Sequence, residues 1–283
     1  MIDLHTHTNK SDGTDTPREL INKAISMGIS LLGVTDHDTT AGWMEAAQSA
    51  RGSISLALGS EISCLSDDGT SVHMLGLLFD GNDKEMQEML EAVRDGRVPR
   101  MRKMIAKMQA AGFDISMEDV EAARPPGATL GRPHLADALV NKKIISSRDE
   151  AFQGMLNNDS QFYVSHAAPT PLDAIRMIKK AGGVSVIAHP FASLRGKILK
   201  AADFAELAQA GLNGVEVDHR DQNLDERGML RNIATELGLV VTGASDYHGS
   251  GKLNALAEFQ TSPDQWEKLE SQANQRRVVS TWR

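Results

Sequence analysis

The chain has 283 residues, 41% of them hydrophobic and 24% charged, with a formal net charge of -8 and one cysteine, Cys64. That is room for one large core of α/β-barrel size, and it excludes an intrachain disulfide or a cysteine-based metal site. The acidic balance argues against a broad basic surface wrapped around duplex nucleic acid, although bound cations would still admit an anionic substrate.

The opening residues Ile2 to His5 read as a strand. His5 and His7 fall on one face of it, because strand side chains alternate. No basic-then-apolar leader precedes them, and no apolar run approaches the roughly 20 residues of a membrane span, so a cytoplasmic protein is expected. Thr16-Pro17 opens a helix with Thr16 as N-cap, and Gly28 ends it. Leu31-Leu32-Gly33-Val34-Thr35 has no polar alternation and suits a parallel sheet buried on both faces. A helix over 41–51, capped by Thr39 or Thr40, leads to a strand over 54–58 that ends at Glu61. Another strand, over 72–78, contains His73.

From residue 83 the texture turns helical, rich in methionine and basic residues, with a break at Pro125-Pro126-Gly127. Strand rhythm returns at 184–188, 214–217 and 239–243, with helices near 171–181, 201–210, 224–237 and 263–272 and a last apolar stretch at Val278-Val279-Ser280. Alternating strands and helices mean βα units. About seven of them predict an α/β fold closed or nearly closed into a barrel. The barrel is assigned to 1–82 and 163–283, and 83–162 to a mostly helical insertion that carries Arg132 and His134.

Polar residues gather at the strand ends: His5, His7 and Asp12; Asp36 and His37; Glu61; His189; Asp246 and His248. This is where barrel enzymes carry their chemistry. Histidine and carboxylate ligands suit a borderline cation such as Zn²⁺, Mn²⁺ or Fe²⁺. One histidine alone would read as structural; the set reads as a metal centre.

In order along the chain, His5-x-His7 with Asp12, Thr35-Asp36-His37-Asp38, Glu61, His73, His134, Ala188-His189-Pro190 and Ser245-Asp246-x-His248 resemble the PHP (polymerase and histidinol phosphatase) family. The resemblance implies a distorted (β/α)7 barrel with two or three divalent ions, Mn²⁺ first by analogy and Zn²⁺ or Fe²⁺ as alternatives. It implies one ion on His5, His7, Glu61 and Asp246. A second would share Glu61 and add His73 and His134, and a third would take Asp12, His37 and His248. Asp12 stands where some relatives carry His, which bears on the third site's metal and occupancy. The insertion, Leu130-Gly131-Arg132-Pro133-His134 and Tyr163-Val164-Ser165-His166 resemble a bacterial subgroup within the family. That subgroup removes the 3′-phosphate of 3′,5′-bisphosphonucleotides and trims short RNA or DNA from the 5′ end.

The expectation is therefore a metal-dependent phosphoesterase acting on a nucleotide or a short single strand. A histidinol-phosphate-type phosphatase is the alternative, and a metal-stabilised interaction domain the non-enzymatic one. Arg132 is the candidate for bidentate phosphate contact, with His166 as a second substrate residue. Asp36 and His189 are the candidates for catalysis, and Asp36 and Asp38 could equally orient His37. The basic run Arg94, Arg97, Arg100, Arg102, Lys103 and Lys107 is either a solvated helix face or a guide for a short nucleic acid. Phe191 or Tyr247 could stack a base.

Overall fold

The computed structural model describes residues 1–165, 167–193 and 197–274. The expected strand at 278–280 lies outside these residues. Seven strands form one sheet in sequence order: β1 (Ile2–Asp3), β2 (Leu31–Val34), β3 (Ser55–Leu65), β4 (Ser71–Leu77), β5 (Val184–Ala188), β6 (Gly214–Asp218) and β7 (Val240–Gly243). Helices α1 (Pro17–Ser26), α2 (Trp43–Ala50), α7 (Pro171–Lys180), α8 (Ala201–Ala210), α9 (Leu224–Leu237) and α10 (Pro263–Glu270) surround it. Between β4 and α7 run α3 (Lys84–Ala110), α4 (Met117–Ala123), α5 (Arg132–Asn141) and α6 (Arg148–Gln153).

Strand alternation sorts the apolar side chains into two layers. Leu32, Val34, Leu56 and Leu58 pack outward with Leu20, Ile21 and Ala24 of α1. Leu4, Leu31, Ala57, Leu75 and Val186 pack on the opposite face with Trp266 and Leu269 of α10. Cys64 is a buried apolar residue of the outer layer. Thr16 caps α1 in a reciprocal box with Glu19. The second helix starts later than expected, at Trp43, with Gly42 as N-cap. Thr39 cannot cap it, because its hydroxyl accepts the Ala41 N–H at 3.2 Å and its own N–H bonds Ser60 Oγ at 3.1 Å.

An all-parallel sheet does not hold at β4, which runs antiparallel to β3 and β5. Residues 66–70 alone join β3 to β4, in a turn where Ser66 N–H bonds Thr70 O at 2.9 Å and Gly69 takes φ +82°. A parallel crossover needs a dozen residues or more. The reversal puts the beginning of β4, with His73, at the same mouth as the ends of the parallel strands.

The seam between β1 and β7 is closed in part by one side chain. A β-bridge there pairs Thr6 with Tyr247. Thr261 N–H bonds Ile2 O at 3.0 Å and Thr14 N–H bonds His248 O at 3.1 Å, and the carboxylate of Asp3 adds three more bonds: Oδ1 accepts Ser245 N–H at 3.0 Å, and Oδ2 accepts Ser245 Oγ at 2.6 Å and Ala257 N–H at 2.9 Å.

Helices α3 to α6 have their own apolar cluster, with Met101, Met104, Met108, Leu135 and Leu139 at its centre. The basic run on α3 is mostly neither a solvated face nor an open guide. The Arg97 guanidinium bonds the Asp38 carboxylate, Ser63 Oγ at 2.8 Å and Leu130 O at 3.1 Å. Arg94 donates to Asp38 O at 2.6 Å, Arg100 to Val164 O at 2.7 Å, and Lys107 to Gln161 O and Tyr163 O at 2.8 and 2.9 Å. Orphan carbonyls need donors, and these cations supply them. Arg102, Lys103 and Lys107 are exposed, Lys107 in spite of its two bonds. On the far side, Arg148 of α6 donates to Asp12 O at 3.2 Å and pairs with Asp137 at 2.5 Å. No helix among the described residues is long and apolar enough to cross a membrane.

Asp3→Asn tests the seam. The amide would turn an NH2 toward a buried N–H donor, at a cost of about 2 kcal/mol. The urea midpoint should fall with an unchanged slope. Burial also lifts the Asp3 carboxyl to about 6, above its ordinary 3.8. Its contribution to stability is therefore fullest below about pH 4 and declines as pH rises through 6. Asp3→Asn should remove that part of the pH dependence, read as the difference between the two stability profiles.

Candidate metal centre

All seven strands deliver a polar side chain to one mouth of the barrel. The tail of β1 brings His5 and His7, the end of β2 His37, the middle of β3 Glu61, and the start of β4 His73. The ends of β5 and β7 bring His189, Asp246 and His248, and β6 brings Glu216, with His219 just beyond it. Glu61 is within strand β3 rather than at its end, and His37 bridges to it as a neighbouring strand would.

Four groups bring donor atoms within 4.8 Å of one another: His5, His7, Glu61 and Asp246; His7, Asp12, His37 and His248; His37, Glu61 and His73; and His5, His189 and Glu216. The first is the ligand set that the motifs implied. In the second, His7 joins Asp12, His37 and His248. In the third, His37 stands where His134 was expected. His134 is in none of these groups. Its Nδ1 accepts the Gly131 N–H at 3.1 Å, at the first turn of α5.

The ring nitrogens approach the carboxylates closely but do not bond them well. His73 Nδ1 is 2.7 Å and His37 Nδ1 3.1 Å from Glu61, and His248 Nε2 is 3.2 Å from Asp12. All three nitrogens are buried and lack a hydrogen bond of acceptable geometry. His5 Nε2 and His7 Nε2 lie 3.0 Å apart. Buried polar atoms are ordinarily satisfied. Nitrogens and oxygens that converge on shared space without bonding one another fit a cation between them, and with imidazoles and carboxylates alone the donor set suits a divalent transition metal.

Charge in the cluster is finely divided. Burial holds His37 down to about 3 and His248 down to about 4, so both rings are neutral and ready to ligate near pH 7. Burial works against the charge on Glu61 too, but His37, His73 and His5 hold it well below the usual carboxylate range. Asp12 is likewise held low, against burial, by His248 and His37. His7 goes the other way: burial opposes its proton, but Asp246 and Glu61 lift it to about 9.

Asp36 is turned away from these groups. Its oxygens accept Thr8 N–H at 2.8 Å, Thr8 Oγ1 at 2.7 Å and Ser11 Oγ at 2.7 Å. Ser11 Oγ is in turn 3.4 Å from His7 Nδ1. Asp36 therefore shapes the loop that carries His7 and Asp12. Asp38 stands at φ +53°, held by Arg97 and by Ser63 N–H at 2.7 Å. Arg132 lines a small pocket together with His73, His189, Asn158 and Lys197. Its Nη1 bonds Leu156 O at 2.7 Å and Asn158 Oδ1 at 2.6 Å. His166 lies outside the described residues. Phe191 and Tyr247 do not face the mouth: both belong to the outer core, Phe191 against Phe204, and the Tyr247 hydroxyl bonds Asp15 at 2.8 Å. Asp218 pairs outward with Arg231 at 2.5 Å.

Sequence reasoning missed three residues. Glu216 bonds His5 Nδ1 at 3.1 Å, His219 Nε2 is 3.4 Å from Asp246, and Lys252 donates to Asp246 Oδ2 at 2.8 Å. A glutamate inside Gly214-Val215-Glu216-Val217 was a usable signal, because a buried strand keeps a charge only where it has a partner.

A seven-stranded α/β barrel with histidines and carboxylates from every strand at one mouth is a frame able to hold metal ions. The PHP domain signature matches residues 3–146, and the chain belongs to that family. It is 34% identical over 252 residues to the 3′,5′-nucleoside bisphosphate phosphatase of Chromobacterium violaceum, covering 89% of this chain and 88% of that one. It is 32% identical to the 5′-3′ exoribonuclease of Haemophilus influenzae, over 87% and 89% of the two chains. A crystal structure from Bifidobacterium adolescentis, described as a metal-dependent phosphoesterase, superposes with a TM-score of 0.90 at 36% identity and 96% coverage of both chains.

The protons on His5 and His7 must leave before a cation can bind their rings. Affinity for Zn²⁺ should therefore rise with pH up to about 9, the value at His7. Calorimetry in buffers of different ionisation enthalpy should show proton release on binding; heats that do not depend on the buffer would contradict it.

Proposed function

We propose that the protein is a metal-dependent phosphoesterase acting on nucleotides. Its substrates in this reading are the 3′-phosphate of a 3′,5′-bisphosphonucleotide, the 5′ end of a short single strand, or both. The observation that carries it is the pocket itself, which His73 and His189 of the cluster line together with Arg132. A phosphate there would be within reach of both the cluster and a planar cation. The names of the two curated relatives choose the nucleotide over other phosphate esters. We assign His5, His7, Asp12, His37, Glu61, His73, His134, Asp246 and His248 to the metal ions, two or three of them, with His134 standing outside the close groups, Mn²⁺ as occupant and the cytoplasm as the place of action.

Bound divalent ions supply an activated water and neutralise charge on the phosphoryl oxygens. The chain's own residues do the rest. Arg132 grips the phosphate through its fork, which holds two oxygens in a fixed plane. Leu156 O and Asn158 Oδ1 preset that guanidinium, so less freedom is lost on binding. His189, whose Nε2 is 3.1 Å from Glu61, is our candidate to hand a proton to the departing sugar oxygen. Asp36 acts through Thr8 and Ser11 on the loop, as a positioning residue.

The test is turnover by Mn²⁺-loaded protein on adenosine 3′,5′-bisphosphate, a 5′-phosphorylated short RNA and histidinol phosphate in parallel. Inorganic phosphate from the first, or mononucleotides from the second, is expected, and chelation should abolish both. Turnover confined to histidinol phosphate would overturn the nucleotide reading. Arg132→Lys should lower kcat/KM on the preferred nucleotide about 30-fold, equivalent to ~2 kcal/mol, mostly through KM.

A further inference from the structure

Glu216 sits at the centre of β6, wholly buried, and both its oxygens are engaged by site histidines. Oε1 is 3.1 Å from the ring Nδ1 of His5, and Oε2 accepts the main-chain N–H of His189 at 2.9 Å. A carboxylate offers no proton, so the His5 contact is a hydrogen bond only if Nδ1 carries the hydrogen. That leaves His5 Nε2 as the ligating nitrogen. Nε2 is the atom that faces the cluster: it is 3.2 Å from Glu61, 3.0 Å from His7 Nε2 and 3.5 Å from Asp246.

The second contact acts on the backbone. His189 has φ +32°, a region that non-glycine residues avoid. Such a conformation persists only where the surroundings hold it. Two side chains from β6 and the turn after it do so: Glu216 takes the His189 N–H, and Gln222 takes the Phe191 N–H at 2.9 Å. Gln222 is fixed in turn by its bonds to Glu216 O and Val217 O at 3.1 and 2.8 Å. The strained corner sets the His189 ring beside Glu61 and stacked on His5, with centroids 5.8 Å apart.

We infer that Glu216 is the positioning residue of this centre: one carboxylate fixes the ligating face of His5 and, at the same time, the corner that aims His189. The inference rests on reading the cluster as a metal centre. Glu216 does not itself hold an ion, because both oxygens already face histidine N–H groups rather than the open mouth.

Glutamine cannot replace it, since one end of the amide would oppose an N–H. In Glu216→Gln, Zn²⁺ affinity measured by competition with a chromophoric chelator should fall 10- to 100-fold. The number of ions bound at saturation should stay the same, and the circular dichroism should remain native. Because the variant could fail to fold, a second measurement uses the wild type. In Zn²⁺-loaded protein labelled with ¹⁵N-histidine, the exchange-protected imidazole proton of His5 should be on Nδ1.

Unchanged affinity in a folded variant would overturn the inference, as would a His5 proton on Nε2. Loss of a whole ion at saturation would overturn it too, by making Glu216 a ligand. If the wild type bound no Zn²⁺, the metal reading would fail and this inference with it; normal wild-type binding with an indifferent variant would sink the inference alone.

Discussion

Five imidazole nitrogens crowd one carboxylate. Glu61 has His5, His7, His37, His73 and His189 nitrogens at 3.2, 3.1, 3.1, 2.7 and 3.1 Å. Two oxygens carry about four lone-pair sites, and the rings approach at angles that leave His37 and His73 without a hydrogen bond. Protons alone cannot satisfy this set. Each added imidazolium would also repel the others in a medium that screens poorly. A divalent cation solves the problem, because it accepts several lone pairs at once. The rest of the barrel mouth can be understood as the means of holding these groups together before the ion arrives.

That holding is done by polar groups one layer back from the cluster. Glu216 grips His5 and the His189 corner, Asp36 grips the loop of His7 and Asp12, and Lys252 grips Asp246. Helices α3 to α6 and their loops contribute in the same way. Arg97 fixes Asp38 next to His37, Arg148 reaches the Asp12 carbonyl, and Thr129 N–H bonds Lys10 O at 2.9 Å. Arg94, Arg97 and Arg148 of these helices thus bind the barrel's own loops, so part of the run of cations is spent inside the molecule. Guanidinium is well suited to such bracing, because it stays charged when buried and its planar donors serve several carbonyls.

Most of the barrel was legible because its causes are local. Unalternated apolar runs mark buried parallel strands, and Thr16-Pro17 with Glu19 marks a helix start. His5 and His7 share a face by strand geometry alone. What was not legible depends on partners far away in sequence. The direction of β4 follows from the short turn at 66–70, but strand composition gives no sign of it. His37 joins Glu61 and His73 because the reversed strand faces β3 and β5 across the mouth, while His134, on α5, stands outside the close groups. The basic run could not be assigned from helical spacing, since its partners are carbonyls at 130 and 161–164 and a carboxylate at 38. Phe191 and Tyr247 fail as candidates for base stacking, because proximity to a motif does not say which face a side chain takes.

The backbone itself records where the mouth is strained. Asp38, His189 and Asp246 stand at φ +53°, +32° and +51°, each just past the end of a parallel strand. A glycine would relieve the strain at each point, but it would remove the side chain that holds, aims or ligates. Each such conformation costs on the order of 1–3 kcal/mol and needs surroundings that over-determine it. Those surroundings are present in every case: Arg97 and Ser63 at Asp38, Glu216 at His189, and Lys252 at Asp246. Strain and support therefore occur as pairs. The turn that leaves a strand abruptly enough to point a ligand into the mouth is the turn that needs a buried polar group behind it. This is why supporting residues such as Glu216, Asp36 and Arg97 are both charged and buried.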